Sequence, residues 1–193
     1  MTEQELLTMY EDAGALLTGH FVLSSGRHSP RYLQSARVLM HPVHAEALGR
    51  ALADLGQDAD VALVVSPALG GLIIGHEVAR ALGKPMIFTE RKEGVMQLRR
   101  GFDIPEGARV LVVEDVITTG GSVRECMDVV RAHGGTPVRV LALVDRDPAA
   151  EGRFDVPHRT LLKLDVPSYA TEACPLCREG TLPPVKPGSR GAA

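Results

Sequence analysis

The stretch Val110-Leu-Val-Val-Glu-Asp-Val-Ile-Thr-Thr-Gly-Gly-Ser122 decides the fold. It opens on apolar, mostly β-branched residues and closes on small, hydroxylated, flexible ones, a pattern that predicts a strand, a short loop and a helix starting near Gly121. An α/β protein holds a phosphate at such a junction. Thr118, Thr119 and Ser122 supply hydroxyl donors, Gly120 and Gly121 allow backbone amides to approach a ligand, and the new helix adds unpaired N–H groups and the positive end of its dipole. Just upstream, Glu114 and Asp115 end the strand, where two carboxylates can accept hydrogen bonds from a sugar diol or help hold a divalent cation. Carboxylates followed by a phosphate cup point to a phosphorylated sugar read at both ends.

Capping alone produces acidic strand ends and Gly/Thr-rich loops, so each feature taken singly is weak. Their order is more informative. A kinase-type phosphate loop needs G-x-x-x-x-G-K-S/T and a dinucleotide fold needs G-x-G-x-x-G after its first strand; neither spacing occurs here. The stretch resembles the phosphoribosyl-diphosphate motif of the type I phosphoribosyltransferases. The resemblance implies that Glu114 and Asp115 contact the ribose hydroxyls and that Thr118, Thr119, Gly120, Gly121 and Ser122 surround the 5′-phosphate.

Composition sets the outer bounds. A chain of 193 residues is one α/β domain with a small terminal elaboration. With 45% hydrophobic residues, 4% aromatic and no Trp, its core must be packed from Val, Leu, Ile and Ala. A net charge of -3 implies no polyanion-binding surface. Three cysteines make no disulfide scaffold, and neither a signal peptide nor a run of about 20 apolar residues is found, so a cytoplasmic protein is expected.

From the N-terminus, Leu6, Tyr10, Ala13 and Leu17 recur at helical spacing and predict an amphipathic helix from residue 3 to about 17, stopped by Gly19. Phe21 to Gln34 reads as a hairpin rim whose polar middle gathers donors around Gly26. This segment resembles the amino-terminal substrate loop of the orotate phosphoribosyltransferases. The resemblance implies that Ser25, Gly26, Arg27 and Ser29 line the pyrimidine pocket, with Tyr32 and Leu33 matching a usual aromatic pair. Ser24 stands where many members have a lysine.

Pro42 opens a second helix to about Leu55 with Val43, Ala47, Leu48, Ala51 and Leu55 on its apolar side. The unbroken run Val61–Val65 predicts a buried parallel strand, a turn over residues 66–72 follows, and Gly75 to Leu82 continues as helix. Family resemblance assigns pyrophosphate to the backbone amides of Ala68, Leu69, Gly70 and Gly71; Gly70 occupies a common lysine position, so a backbone nest must serve alone.

Residues 85–89 form the next strand and lead into the charged segment Glu90–Phe102. It resembles the mobile catalytic loop of the family, which closes over the site and often reaches in from the other subunit of a homodimer. Arg91 and Lys92 match its opening pair, Val95 and Gln97 stand where K-x-H is usual, and Arg99 and Arg100 are expected to restore the lost charge. With Asp115, these four cations form the expected catalytic set.

Val123 to about His133 should be a helix ended by Gly134-Gly135, with Cys126 on it as a packing residue. A strand over 138–144 ends at Asp145 and Arg146; by resemblance Arg146 binds the base, its planar fork suiting a carboxylate and imide carbonyls, with Asp145 orienting it. After a last strand, roughly 160–166, Cys174-Pro-Leu-Cys177 is half of a tetrahedral thiolate site, whose other half must come from a second subunit or unrecognised ligands; a packed turn is the plainer reading. Similar tails occur in part of the orotate family. From Gly180 the chain should be extended or disordered.

The expected architecture is a type I phosphoribosyltransferase-like α/β fold: a mostly parallel central sheet flanked by helices. Residues 1–40 form an N-terminal helix and base-binding hood, 41–170 the core, and 171–193 a C-terminal segment and tail. The implied reaction converts orotate and 5-phosphoribosyl 1-diphosphate to orotidine 5′-phosphate and diphosphate in UMP biosynthesis. Magnesium would ride mainly on substrate oxygens, assisted by Glu114 and Asp115. Competing readings are transfer to a purine or another pyrimidine, and a non-catalytic sensor of phosphoribosyl diphosphate. No nucleic acid or membrane partner is expected.

Overall fold

Strands with no polar face can be covered only by helices on both sides, and that requirement organises the molecule. The structure, a computed structural model, describes residues 1–23, 25–147 and 152–187. In chain order they form α1 (Glu3–Asp12), β1 (Leu16–Val22), β2 (His28–Leu33), α2 (Ser35–Leu39), α3 (Pro42–Gly56), β3 (Leu63–Pro67), α4 (Gly71–Leu82), β4 (Met86–Lys92), β5 (Val95–Leu98), β6 (Arg109–Ile117), α5 (Gly121–Ala132), β7 (Thr136–Asp145), β8 (His158–Lys163), a 3-10 turn (Thr171–Ala173) and α6 (Pro175–Glu179).

The central sheet has six strands in the order β5-β4-β3-β6-β7-β8. All its pairings are parallel except β4 with the edge strand β5. Successive side chains alternate between two cores. Leu111, Val113, Leu141 and Leu143 pack with Leu48, Leu52, Ile74 and Val78 on the α3/α4 face. Val110, Val112, Val140 and Ala142 pack with Val123, Met127 and Val130 of α5 on the other. Leu111 is fully buried at this centre, so truncating it to Ala would cost about 2–5 kcal/mol.

The order of β3, β6 and β7 in the sheet brings their carboxyl ends side by side, with the loops after them at one edge. Over that edge stands a separate two-stranded hood, β1 antiparallel to β2. The C-terminal segment closes it: Tyr169 pairs with His28, and Val185 pairs with Phe21. The chain from Gly180 to Pro187 is thus tied to the hood, and residues 188–193 lie outside the described set.

Several boundaries differ from the sequence reading. The first helix ends at Asp12, after a capping box between Thr2 and Glu5. Leu16 and Leu17 belong to β1, paired with Leu33 and Tyr32, and Gly19 lies within that strand, because cross-strand pairing outweighs helical spacing at the helix end. On α3 the buried face is Ala45, Leu48, Gly49, Leu52, Ala53 and Gly56, while Val43 is 77% exposed. Helix α4 starts at Gly71 rather than Gly75. The charged segment after residue 89 is a β-hairpin: β4 runs to Lys92 and turns back through Glu93 and Gly94, whose φ values of 54° and 84° are those of a two-residue turn matched to strand twist. No described helix is long and apolar enough to cross a membrane.

Candidate active site

Glu114 and Asp115 lie near the end of β6, where the strand leaves the core. Glu114 is buried, and burial together with the neighbouring Asp115 charge pushes its carboxyl well above the usual range; Asp115 N–H donates to Glu114 Oε1 at 3.1 Å. Asp115 faces the turn after β3. A β-carbon on Gly70 would lie 2.5 Å from Asp115 Oδ1, so this turn and the Asp115 carboxylate are in direct apposition. Tyr32, Gln34, Ala68, Gly70, Glu114 and Asp115 line one cleft of about 250 Å³ that also reaches Thr118, Ser122 and Arg146.

The loop Thr118–Ser122 borders an adjoining cleft of about 260 Å³. Gly120, with φ of 76°, precedes α5, and a β-carbon there would meet the Phe154 ring at 2.9 Å, so only glycine fits. Two arginines pin the backbone of this loop: Arg153 Nη1 donates to Thr118 O and Arg124 Nη1 to Thr119 O, each at 3.0 Å. Arg153 also pairs with Asp145, which is buried at 1% exposure and accepts from the Asp147 N–H at 3.0 Å. The expected role of Asp145 is corrected on this point: it holds Arg153, and through it the Thr118–Ser122 loop, instead of orienting Arg146.

Beyond the loop lies a third cleft of about 280 Å³, walled by Leu23, Ser25, Arg27, Arg146 and the segment Asp165–Ser168. Arg146 is 6% exposed and has no carboxylate partner among the described residues; its Nη2 donates to Ser29 Oγ at 3.0 Å and to Arg31 O at 3.3 Å, and its Nε has no hydrogen-bond partner. Such a buried, uncompensated cation attracts a planar anion. Arg27 Nε donates to Ser168 Oγ at 2.8 Å and its Nη2 to Ser168 O. Of the residues expected around the base, Ser25, Arg27, Tyr32, Leu33 and Arg146 reach the clefts. Ser29 sits behind Arg146 as a brace, Gly26 forms the turn, and Leu33 borders the cleft from the edge of the core. Ser24 lies outside the described residues.

The four expected cations are not gathered at one point. Arg91 lines the cleft beside Gly70 and Asp115 and pairs with Glu125 at 2.5 Å. Arg99 and Arg100 pair with Glu90 at 3.3 and 3.0 Å, and Arg100 lies over the Phe88 ring at 5.6 Å. Lys92 is exposed on the next position of β4, where strand alternation turns it to the face opposite Arg91.

The sequence model of the "Phosphoribosyl transferase domain" family matches residues 34–161. An orotate phosphoribosyltransferase of Pelotomaculum thermopropionicum is 54% identical over 192 residues, covering 98% of this chain and 99% of the relative. The crystal structure of orotate phosphoribosyltransferase from Aeropyrum pernix superposes with a TM-score of 0.71 at 32% identity, covering 82% of this chain and 93% of that one. A Mycobacterium tuberculosis orotate phosphoribosyltransferase, solved with inorganic phosphate, gives 0.67 at 28% identity, covering 84% and 95%. The chain belongs to the orotate phosphoribosyltransferase family.

As an orotate phosphoribosyltransferase family member, the chain carries several site-shaping residues that sequence reading missed. Arg124 and Arg153 are found only through their contacts with the Thr118–Ser122 loop, and Asp165–Ser168 only through its place against Arg27. Their one local signal was position after a strand end or at a helix start. Sequence reading also left half of the Cys174/Cys177 group unassigned. His20 and His28 of the same chain lie beside it, the four side chains' potential ligand atoms falling within 4.8 Å of one another.

Proposed function

We propose that the three adjoining clefts hold orotate, ribose and 5′-phosphate in line, and that the protein catalyses transfer of the phosphoribosyl group from 5-phosphoribosyl 1-diphosphate to N1 of orotate, releasing diphosphate in UMP synthesis. The observation that carries this reading is Arg146, a buried guanidinium without a carboxylate partner among the described residues, at the far end of a cleft that begins at a phosphate loop. Its vacant Nε and its Nη groups suit the carboxylate and carbonyls of orotate, with Arg27 and Tyr32 on the walls.

Glu114 and Asp115 accept hydrogen bonds from the ribose hydroxyls and stabilise positive charge as it builds on the ribose ring, while the Thr118–Ser122 amides and hydroxyls hold the phosphate. No protein nucleophile is needed: the bond from the anomeric carbon to diphosphate breaks with its electron pair on the leaving oxygen as N1 bonds to carbon, and the N1–H bond breaks with its proton passing to solvent. Backbone amides of Ala68, Leu69, Gly70 and Gly71 receive the diphosphate, and the β4–β5 hairpin covers it and excludes water, with Arg91 on the cleft of its own subunit and Lys92, on the opposite face, offered to the neighbouring subunit. Two carboxylates without an ion-pair partner among the described residues, one buried and one facing the diphosphate turn, fit a hard, oxygen-liganded cation brought in largely on substrate. Magnesium bound there would supply charge neutralisation at the diphosphate and ribose oxygens.

The working unit is a homodimer in the cytoplasm. Leu69 and Ile73 are exposed on the rim of the Arg91 cleft, apolar side chains suited to a subunit contact beside that cleft. The test is consumption of orotate, followed by loss of its ultraviolet absorbance, with magnesium and 5-phosphoribosyl 1-diphosphate, beside adenine, guanine, xanthine and uracil. Orotate consumption with stoichiometric diphosphate release is expected. Tight binding of the sugar diphosphate without turnover of any base would overturn the proposal.

A further inference from the structure

Away from the active-site clefts, three segments bring soft and imidazole ligands to one point. His20 comes from β1, His28 starts β2, and Cys174 and Cys177 flank the first turn of α6. His20 Nε2 lies 3.7 Å from Cys174 Sγ and 3.6 Å from Cys177 Sγ, and His28 Nδ1 lies 3.3 Å from Cys177 Sγ. The two imidazole nitrogens face each other at 2.7 Å. A tetrahedral zinc ion with Zn–N near 2.0 Å and Zn–S near 2.3 Å places its ligand nitrogens and sulfurs about 3.5 Å apart. The three nitrogen–sulfur distances of 3.3–3.7 Å match that spacing, and all four ligand atoms lie within 4.8 Å of one another, so a small separation of the two rings would seat the ion.

The outer contacts point the same way. His20 Nδ1 lies 3.0 Å from Leu182 O; a carbonyl only accepts, so Nδ1 carries the proton and Nε2 turns its lone pair toward the cysteines. On His28 the outward nitrogen, Nε2, lies 3.5 Å from Thr171 Oγ1, leaving Nδ1 to face inward. Cys174, His20 and His28 are buried, while Cys177 is exposed, which supplies an entry path. A hydrogen bond between the two rings would satisfy their facing nitrogens but gives two thiols converging on the same atoms no role.

We infer that His20, His28, Cys174 and Cys177 form a structural Cys2His2 site for a zinc-class ion, closed within one chain. Binding breaks two S–H bonds and forms two S–Zn bonds, releasing two protons to solvent, while the histidines bind as neutral imidazoles. The site fastens the C-terminal segment to the hood. His28 is bracketed by backbone hydrogen bonds with Tyr169, and the neighbouring Arg27 and Ser29 contact Ser168 and Pro167, so the ion anchors one wall of the base cleft without entering it. This inference goes beyond the proposed transferase activity and does not depend on it.

The test uses the full chain, untagged and purified without chelator from zinc-supplemented cells, with metal measured by inductively coupled plasma mass spectrometry. About one zinc per chain is expected, retained by Cys126→Ser and lost from Cys174→Ser and Cys177→Ser. Because a ligand variant can fail by misfolding, wild-type protein is also stripped by chelator and refilled with Co2+. Thiolate-to-cobalt charge transfer and the visible bands of tetrahedral cobalt are expected, with zinc restoring the melting temperature lost on stripping. Metal-free protein carrying a Cys174–Cys177 disulfide, or cobalt spectra without thiolate bands, would overturn the inference.

Discussion

Arg146 Nη2 donates a 3.0 Å hydrogen bond to the buried hydroxyl of Ser29, joining the end of the strand β7 to the N-terminal hood. The contact fixes a cation that has no acid to balance it among the described residues. Arg146→Ala is expected to lower kcat/KM for orotate by about 100-fold, the value of charge-assisted hydrogen bonds lost in a buried site, with the KM for 5-phosphoribosyl 1-diphosphate nearly unchanged. Ser29→Ala should raise the orotate KM by about tenfold through misplacement of the guanidinium. Equal losses for both substrates in steady-state kinetics would refute this division of roles.

Gly70 stands against Asp115 with no room for a methyl group: its β-carbon would come within 2.5 Å of Oδ1 although its φ of -56° suits any residue. Gly70→Ala must therefore turn the Asp115 carboxylate. An approximately tenfold fall in kcat/KM for 5-phosphoribosyl 1-diphosphate, about 1.4 kcal/mol, is expected with an unaltered melting temperature. Unimpaired kinetics would mean that this carboxylate orientation is not used.

Lys92 points to the face of β4 opposite Arg91, away from the cleft that Arg91 lines. If it serves the neighbouring subunit, Lys92→Ala and Asp115→Asn, each about a hundredfold impaired alone, should complement when mixed and re-equilibrated. Half of the dimers are then mixed and each carries one intact site, so activity returns to roughly a quarter of wild type. No recovery would assign the hairpin to its own subunit.

Asp58 follows the C-terminal end of the helix α3, where Arg139 and Arg159 reach both its carboxylate and the Leu55 carbonyl. The hydrogen bond from Arg139 is the main cause that holds its pKa down at about 2. A depressed carboxylate pKa stabilises the fold above the unfolded value of about 3.9, and that contribution is lost as pH falls through 2. Asp58→Asn should lower the melting temperature by a few degrees at pH 7, and the gap to wild type should close between pH 4 and pH 2. A gap that persists at pH 2 would locate the effect in packing instead of charge.

Local pattern and chain-adjacent chemistry made part of this protein legible from the sequence alone. The unbroken apolar runs of β3, β6 and β7 signalled buried parallel strands, and the carboxylates at the end of β6, the loop and the helix start occupy consecutive positions, so that one motif displayed the residues lining two adjoining clefts. Leu17 satisfied a helical period as well as a strand, and only pairing with Tyr32 resolved it. The run of charge from Glu90 could not reveal that Glu90 neutralises Arg99 and Arg100 across a hairpin. Most distant from sequence was the His20–Cys174 meeting, between residues 154 apart. Periodicity and motif spacing act over a few residues, whereas hydrogen bonds, ion pairs and metal ligation act through space, so the sheet order decided which far-separated side chains converge.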